Sequence, residues 1–192
     1  MRIITGSAKG KRLKTLEGDA TRPTSERMKE AIFSAIQFDL EERTVLDLFA
    51  GCGQLGLEAL SRGAKSAMFV DASNDAITIV KQNAQATDFF SCSRFLTSDY
   101  RNYIRKAARR DSFDLVFIDP PYALGAVSDA IDRLVRADML RRGAIVVAES
   151  GADTPFENHE ELASLFIDIR HKTYGPSHIH IMTYAPQTEN EK

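Results

Sequence analysis

The stretch TVLDLFAGCGQLGLEAL, residues 44–60, changes character twice. It opens as an apolar, strand-like run, passes through a glycine-rich loop, and closes with apolar residues at helical spacing. Gly51, Gly53 and Gly56 reproduce the pattern Gly-x-Gly-x-x-Gly between strand and helix. Such glycines permit a tight turn and let a ligand approach the backbone closely. The next apolar run, SAMFVD (66–71), ends on Asp71, 20 residues beyond Gly51. A carboxylate there can accept hydrogen bonds from both ribose hydroxyls of a nucleotide.

Outward from this loop the pattern repeats. The runs TVLDLF, SAMFVD, SRFLTS, FDLVFID and GAIVVAE alternate with helical stretches near 54–62, 74–87, 99–110 and 126–137. Strict alternation of this kind predicts a parallel sheet covered by helices on both faces. The tail departs from it: LFIDIRHKTYG and SHIHIMTY look like two strands joined at Gly175-Pro176, so at least one strand runs antiparallel. Ahead of the first sheet strand, RIITG and KRLKTL are expected to form a hairpin. After Pro23 and Thr24, the residues Met28, Ala31, Ile32, Ala35 and Ile36 repeat at helical spacing. The expectation is an α/β fold in one domain over 1–192, with a basic hairpin-helix extension over 1–43 and a core over 44–192.

The 192 residues are 43% hydrophobic and 27% charged, the balance of a soluble globular chain. The net charge of −2 conceals an asymmetry, because residues 1–30 carry +4 and the remainder −6. Arg2, Lys9, Lys11, Arg12 and Lys14 have no acid among them. A polyanionic partner met at this end is one reading, and a solvated basic hairpin is the other. No apolar stretch reaches the length of a membrane span, and no apolar core follows the basic start. Two cysteines are too few for a disulfide framework or a thiolate zinc site. A cytoplasmic protein that binds neither membrane nor metal is therefore expected. Arg101, Arg105 and Arg109 are spaced to share one helical face, which suits a solvated face or an RNA contact. His178 and His180 alternate with Ile179 and Ile181, on the polar side of a strand.

Asp47 tilts the glycine loop away from dinucleotides. It lies inside the first strand, pointing an anion toward a loop where a pyrophosphate would need positive dipoles. A ligand bearing an ammonium group suits it better, and S-adenosylmethionine carries one. Asp99, in LTSDY, can accept from an adenine amino group, cap the following helix, or do both. The fourth run, FDLVFIDPPY (113–122), stops on an acid and two prolines that cannot continue a strand ladder. Methyl transfer to the exocyclic amine of a planar base needs such an ending. The amine is a poor nucleophile because its lone pair is delocalised into the ring. The Asp119 carboxylate and the Pro120 carbonyl can bond both amine hydrogens and favour a pyramidal nitrogen. Tyr122 offers a ring on which an extruded base can stack. The plainer reading of the same residues is a strand-ending turn.

VLDLFAGCGQLGLEALSRGA together with FIDPPY resembles the class I, Rossmann-like S-adenosylmethionine-dependent methyltransferases. MRIITGSAKGKRL, TRPTSERMKEAIF and YGPSHIHIMTY narrow the resemblance to the bacterial small-subunit (16S) ribosomal RNA guanine-N2 methyltransferase family, nearly end to end. The resemblance implies a seven-stranded sheet whose last strand is antiparallel. It also implies that the basic hairpin and Arg22-Pro23-Thr24 face RNA, on an assembled or partly assembled subunit. Cys52 stands where the family more often has a small hydroxyl residue, which leaves the backbone role of the loop intact. On this reading Asp119, Pro120 and Tyr122 are catalytic. Asp47, Ala50, Gly51, Gly53, Asp71, Ala72 and Asp99 hold S-adenosylmethionine, while Lys9, Lys11, Arg12, Arg22, Thr24 and Pro121 meet RNA. The protein is expected to act as a monomer. Three rivals differ in kind. A DNA amino-methyltransferase usually carries a separate recognition module, a dehydrogenase leaves the DPPY ending unexplained, and a non-catalytic assembly factor would bind RNA without turnover.

Overall fold

The computed structural model describes residues 1–16, 26–121, 126–152, 154–156, 159–175 and 177–186. Its strands are β1 (Thr44–Asp47), β2 (Ser66–Asp71), β3 (Ser93–Thr97), β4 (Phe113–Ile118), β5 (Leu140–Ser150), β6 (Phe166–Tyr174) and β7 (Ser177–Tyr184). They form one seven-stranded sheet in the order β3-β2-β1-β4-β5-β7-β6. Strands β1 to β5 pair in parallel, and β7 lies antiparallel between β5 and β6. The strand order reverses between β1 and β4, the point at which open α/β sheets leave a crevice beyond their carboxyl ends.

Six α-helices cover the sheet among the described residues: α1 (Glu26–Ala35), α2 (Gln54–Ser61), α3 (Asn74–Ala86), α4 (Tyr100–Ala107), α5 (Ala126–Arg136) and α6 (Glu160–Ala163). Neighbouring strand residues point to opposite faces, and here both faces are buried. Val45, Phe69, Leu115, Phe117 and Val147 pack against α1, α2 and α3. Leu46, Met68, Val116, Ile118 and Val146 pack against α4, α5 and α6. This two-sided burial is why the strands are nearly continuous apolar runs in the sequence.

The amino-terminal arm is less of a hairpin than its alternation suggests. Arg2 and Arg12 make a single antiparallel bridge, supported by Ile3 N–H donating to the Lys11 carbonyl at 3.0 Å and Leu13 N–H to the Met1 carbonyl at 3.0 Å. Most of its hold comes from the body. The Glu58 carboxylate on α2 accepts from the backbone N–H groups of Ile4 (2.7 Å) and Thr5 (3.0 Å). Lys29 of α1 is fully buried between Glu58, at 3.3 Å, and the Arg2 carbonyl, at 2.6 Å. Burial pushes the Lys29 ammonium down, and the Glu58 charge opposes that shift. The arm is thus a short hairpin that a buried charge pair locks to the body.

Two other expectations change. Helix α4 ends at Ala107, and Arg109 follows in the left-handed region at φ 58°, so it leaves the face expected for Arg101 and Arg105. His180 shares its side of β7 with His178 but is buried, at 1% exposure, and its ring stacks on His171 of β6 at 4.8 Å between centroids. That side is therefore polar but only partly open to solvent, since His178 is half-buried. The turn residue Pro176 lies outside the described residues.

Candidate cofactor and base-binding site

Four strands bring chemistry to one edge. The carboxyl ends of β1, β2, β3 and β4 lead into the glycine loop, Asp71, Asp99 and Asp119 in turn. The glycine loop turns sharply because Gly51 (φ 53°) and Gly53 (φ 79°) both occupy the left-handed region. Gly53 is the N-cap of α2, with no side-chain cap, so the first N–H groups of that helix face the loop. Ala50 is buried beneath the turn, its N–H donating to the Val70 carbonyl at 2.9 Å.

Asp47 is a strongly perturbed carboxyl at this edge. It is 2% exposed and accepts from the Gly56 N–H of α2 at 3.0 Å. Burial pushes it up from 3.8 to about 7, against the pull of that hydrogen bond and with help from the Asp71 charge. A buried carboxyl poised at neutrality favours a cationic partner, which would hold it ionised. Asp71 is half-buried and uses one oxygen for each neighbour. Oδ2 accepts from Gly51 N–H and Oδ1 from Ser73 N–H, both at 2.8 Å. Ala72 beside it is exposed. Asp99 caps α4, accepting from the N–H groups of Arg101 (3.0 Å) and Asn102 (3.3 Å) through Oδ1.

The loop fits an adenosyl sulfonium ligand on two counts. A side-chain carbon added at Gly51 would meet nothing within 4 Å, so the space beside the loop is open to a ligand. Gln54 Oε1, buried at the start of α2, has no hydrogen-bond partner among the described residues. Asp47, Gly51, Gly53, Asp71 and Asp99 are the groups that would hold such a molecule.

Asp119 and Pro120 follow β4 directly, half-buried, with Pro121 exposed beyond them. The pairing of β1 with β4 brings Asp119 beside the residues that follow Asp47. Tyr122 lies outside the described residues, as do Arg22 and Thr24. A network braces the far side. Tyr100 packs its ring on Phe49 at 5.1 Å and donates its hydroxyl to Asp129 of α5 at 2.7 Å. Asp129 also accepts from Arg101 and Arg133, and those bonds outweigh burial to hold it at about 2.

The basic arm divides into two groups. Arg2 pairs with Glu26 at 3.1 Å, Lys11 with Asp88 at 2.6 Å, and Lys14 Nζ donates to Gln82 at 2.9 Å. Lys9 and Arg12 are exposed and form no ion pair among the described residues. The Lys11–Asp88 pair lies at the surface. Asn83, which the sequence did not mark, ties arm to loop. Its amide exchanges bonds with the Lys14 backbone at 2.8 and 3.0 Å and donates to the Cys52 carbonyl at 2.8 Å.

The family model described as "Conserved hypothetical protein 95" matches residues 1–183. The YlbH protein of Bacillus subtilis is 37% identical over 176 residues, covering 91% of this chain and 94% of the relative. "Ribosomal RNA small subunit methyltransferase D" of Haemophilus influenzae is 31% identical over 179 residues, covering 91% of this chain and 89% of its own. Among solved structures, the yhhF protein of Escherichia coli superposes with a TM-score of 0.85 at 27% identity, covering 97% of this chain and 99% of that one.

Proposed function

The chain belongs to the Conserved hypothetical protein 95 family, and on that premise we propose that it methylates the exocyclic N2 amine of a guanine in small-subunit ribosomal RNA. The methyl donor is S-adenosylmethionine. The fold is the class I, Rossmann-like methyltransferase fold, and the Haemophilus influenzae relative carries a small-subunit ribosomal RNA methyltransferase name. The substrate is the assembled or partly assembled subunit, met in the cytoplasm by a monomer that needs no metal. No helix among the described residues is long and apolar enough to cross a membrane.

The observation that carries this reading is the meeting of Asp47, the Gly51–Gly53 turn and Asp71 with Asp119-Pro120 at one sheet edge. S-adenosylmethionine supplies an electrophilic methyl group on a sulfonium sulfur. Asp47 receives the ammonium end of such a ligand and Asp71 its ribose hydroxyls. Asp119 and the Pro120 carbonyl accept from the two hydrogens of the target amine, turning its lone pair out of conjugation. Tyr122 stacks on the extruded base, and Lys9, Lys11, Arg12, Arg22, Thr24 and Pro121 face the RNA.

Transfer of a labelled methyl group to small subunits lacking the modification, followed by mapping of the modified base, tests the proposal. One methylated guanine N2 per subunit is expected. Methylation of DNA, or cofactor binding without turnover on any subunit, overturns it.

A further inference from the structure

We propose that the cleft between α1 and the β6–β7 edge is a second RNA-binding site, which receives the strand flanking the methylated nucleotide. This rests on the reading of the substrate as RNA. It goes beyond that reading by assigning a surface that belongs neither to the glycine loop nor to the basic arm.

The strand register builds the cleft. β6 is the outermost strand of the sheet, and its residues Arg170 and Lys172 lie opposite Ile181 and Ile179 of β7. Alternation then puts Arg170, Lys172 and Tyr174 on one face, turned toward α1. These three line the cleft above an apolar floor that includes Ile32, Ile179 and Ile181. Arg170 donates to the Ala35 carbonyl near the end of α1 at 3.1 Å, which holds one wall in place. No acidic residue lines the cleft among the described residues.

An apolar floor, an aromatic ring and two cations form the combination that grips single-stranded nucleic acid. The ring takes a base and the cations take phosphates. An apolar helix or a second sheet edge would gain nothing from Arg170 and Lys172, so charge selects the polyanion. The segment RHKTY (170–174) has no acid, although residues 31–192 carry −6 overall.

Position strengthens the case. β6 runs in the same direction as β4, so Tyr174 reaches the edge that carries Asp119. The two strands are three spacings apart, about 14 Å. On the other side of the site the arm rests on α2 and α3: Lys14 is tied through Asn83 to the Cys52 carbonyl of the glycine loop, whereas the arm's turn, with Lys9, lies toward Ser61 at the far end of α2.

Lys172→Glu is the first test, because Lys172 is exposed and its replacement spares the core. Binding to small-subunit ribosomal RNA and to the isolated subunit should weaken about tenfold, and the salt slope should fall by about one. S-adenosylmethionine affinity should match wild type. Tyr174→Leu keeps apolar bulk but removes stacking, and should lose about tenfold in RNA affinity. Wild-type affinity and slope in both variants overturn the cleft assignment, provided that wild-type protein methylates the subunit. Loss on the subunit but not on naked RNA that wild type binds would also overturn it, by pointing to a ribosomal protein. If wild type methylates no RNA, it is the parent reading that falls.

Discussion

The backbone N–H of Gly56 donates to the Asp47 carboxylate at 3.0 Å across the junction of β1 and α2, where Asp47 is 2% exposed. The bond comes from the first turn of a helix, where N–H groups lack intrahelical partners and the dipole favours an anion. Desolvation still dominates, and the carboxyl sits at about 7. Strand and helix are therefore coupled through one side chain, to which the proposed ligand would add its charge.

That coupling predicts a pH-dependent cofactor affinity. An ammonium group binds the ionised carboxylate, so affinity should fall about tenfold per pH unit below 7, with proton release on binding near neutrality. The sign for the free protein is opposite. A carboxyl raised from 3.8 to about 7 contributes stability that is full below 3.8 and is lost as pH rises through 7. Calorimetry from pH 5.5 to 8.5 checks the first trend and thermal unfolding the second. Asp47→Asn should flatten both. A flat affinity profile in wild type would remove Asp47 from the cofactor site.

Gly56→Ala should destabilise the protein although Gly56 lies within a helix. The added carbon would stand 2.3 Å from Phe69 Cε1 and 3.2 Å from Asp47 Oδ2. Overpacking of this kind costs about 1–3 kcal/mol. Urea unfolding should show the loss, and Phe69→Leu in the same chain should recover part of it. Wild-type stability in Gly56→Ala would mean that α2 can shift freely on the sheet.

Gly56 also shows what the sequence makes legible. Strand β2 ends where its apolar run ends, because residues buried on both faces leave a continuous signal. The glycine pattern located the turn for the same local reason. What escaped notice depends on partners distant in the chain. Lys29 interrupts an apolar helical stripe, and nothing nearby reveals Glu58 or the Arg2 carbonyl. The same holds for Lys11 with Asp88 and for Asn83 with Lys14. Asp71 and Asp99 were legible as acceptors, but their backbone donors were only half so. The N-cap role of Asp99 follows from local spacing, whereas the bond from Gly51 to Asp71 requires β1 and β2 to pair first.

The arm gives a graded prediction. Lys9 and Arg12 form no ion pair among the described residues, while Arg2 and Lys11 hold carboxylates. Neutralising Lys9 and Arg12 together should lower the salt slope of RNA binding by about two and leave cofactor affinity unchanged. Neutralising Arg2 and Lys11 should change the slope less, since RNA must first displace Glu26 and Asp88. Equal effects from both pairs would mean that the arm reorganises on RNA. No effect from either would restore the solvated-arm reading.

Asp119 gives the most demanding prediction. It follows a strand that pairs with β1 beside the glycine loop, and two prolines come after it. If its carboxylate accepts from the target amine chiefly as the nitrogen pyramidalises, its contribution is larger in the transition state than in the ground state. Asp119→Ala should then lose about 10²–10³ in methyl-transfer rate, roughly 3–4 kcal/mol. S-adenosylmethionine affinity should largely persist. Asp119→Asn keeps an acceptor without the charge and should fall between alanine and wild type. Tyr122→Ala should instead weaken engagement of the extruded base, by roughly 1–3 kcal/mol, and Tyr122→Phe should be nearly silent. Single-turnover transfer at saturating cofactor separates these effects, because it reports the chemical step apart from product release. Wild-type rates in Asp119→Ala would reduce that residue to a strand terminator and move the search for the amine acceptor elsewhere on this edge.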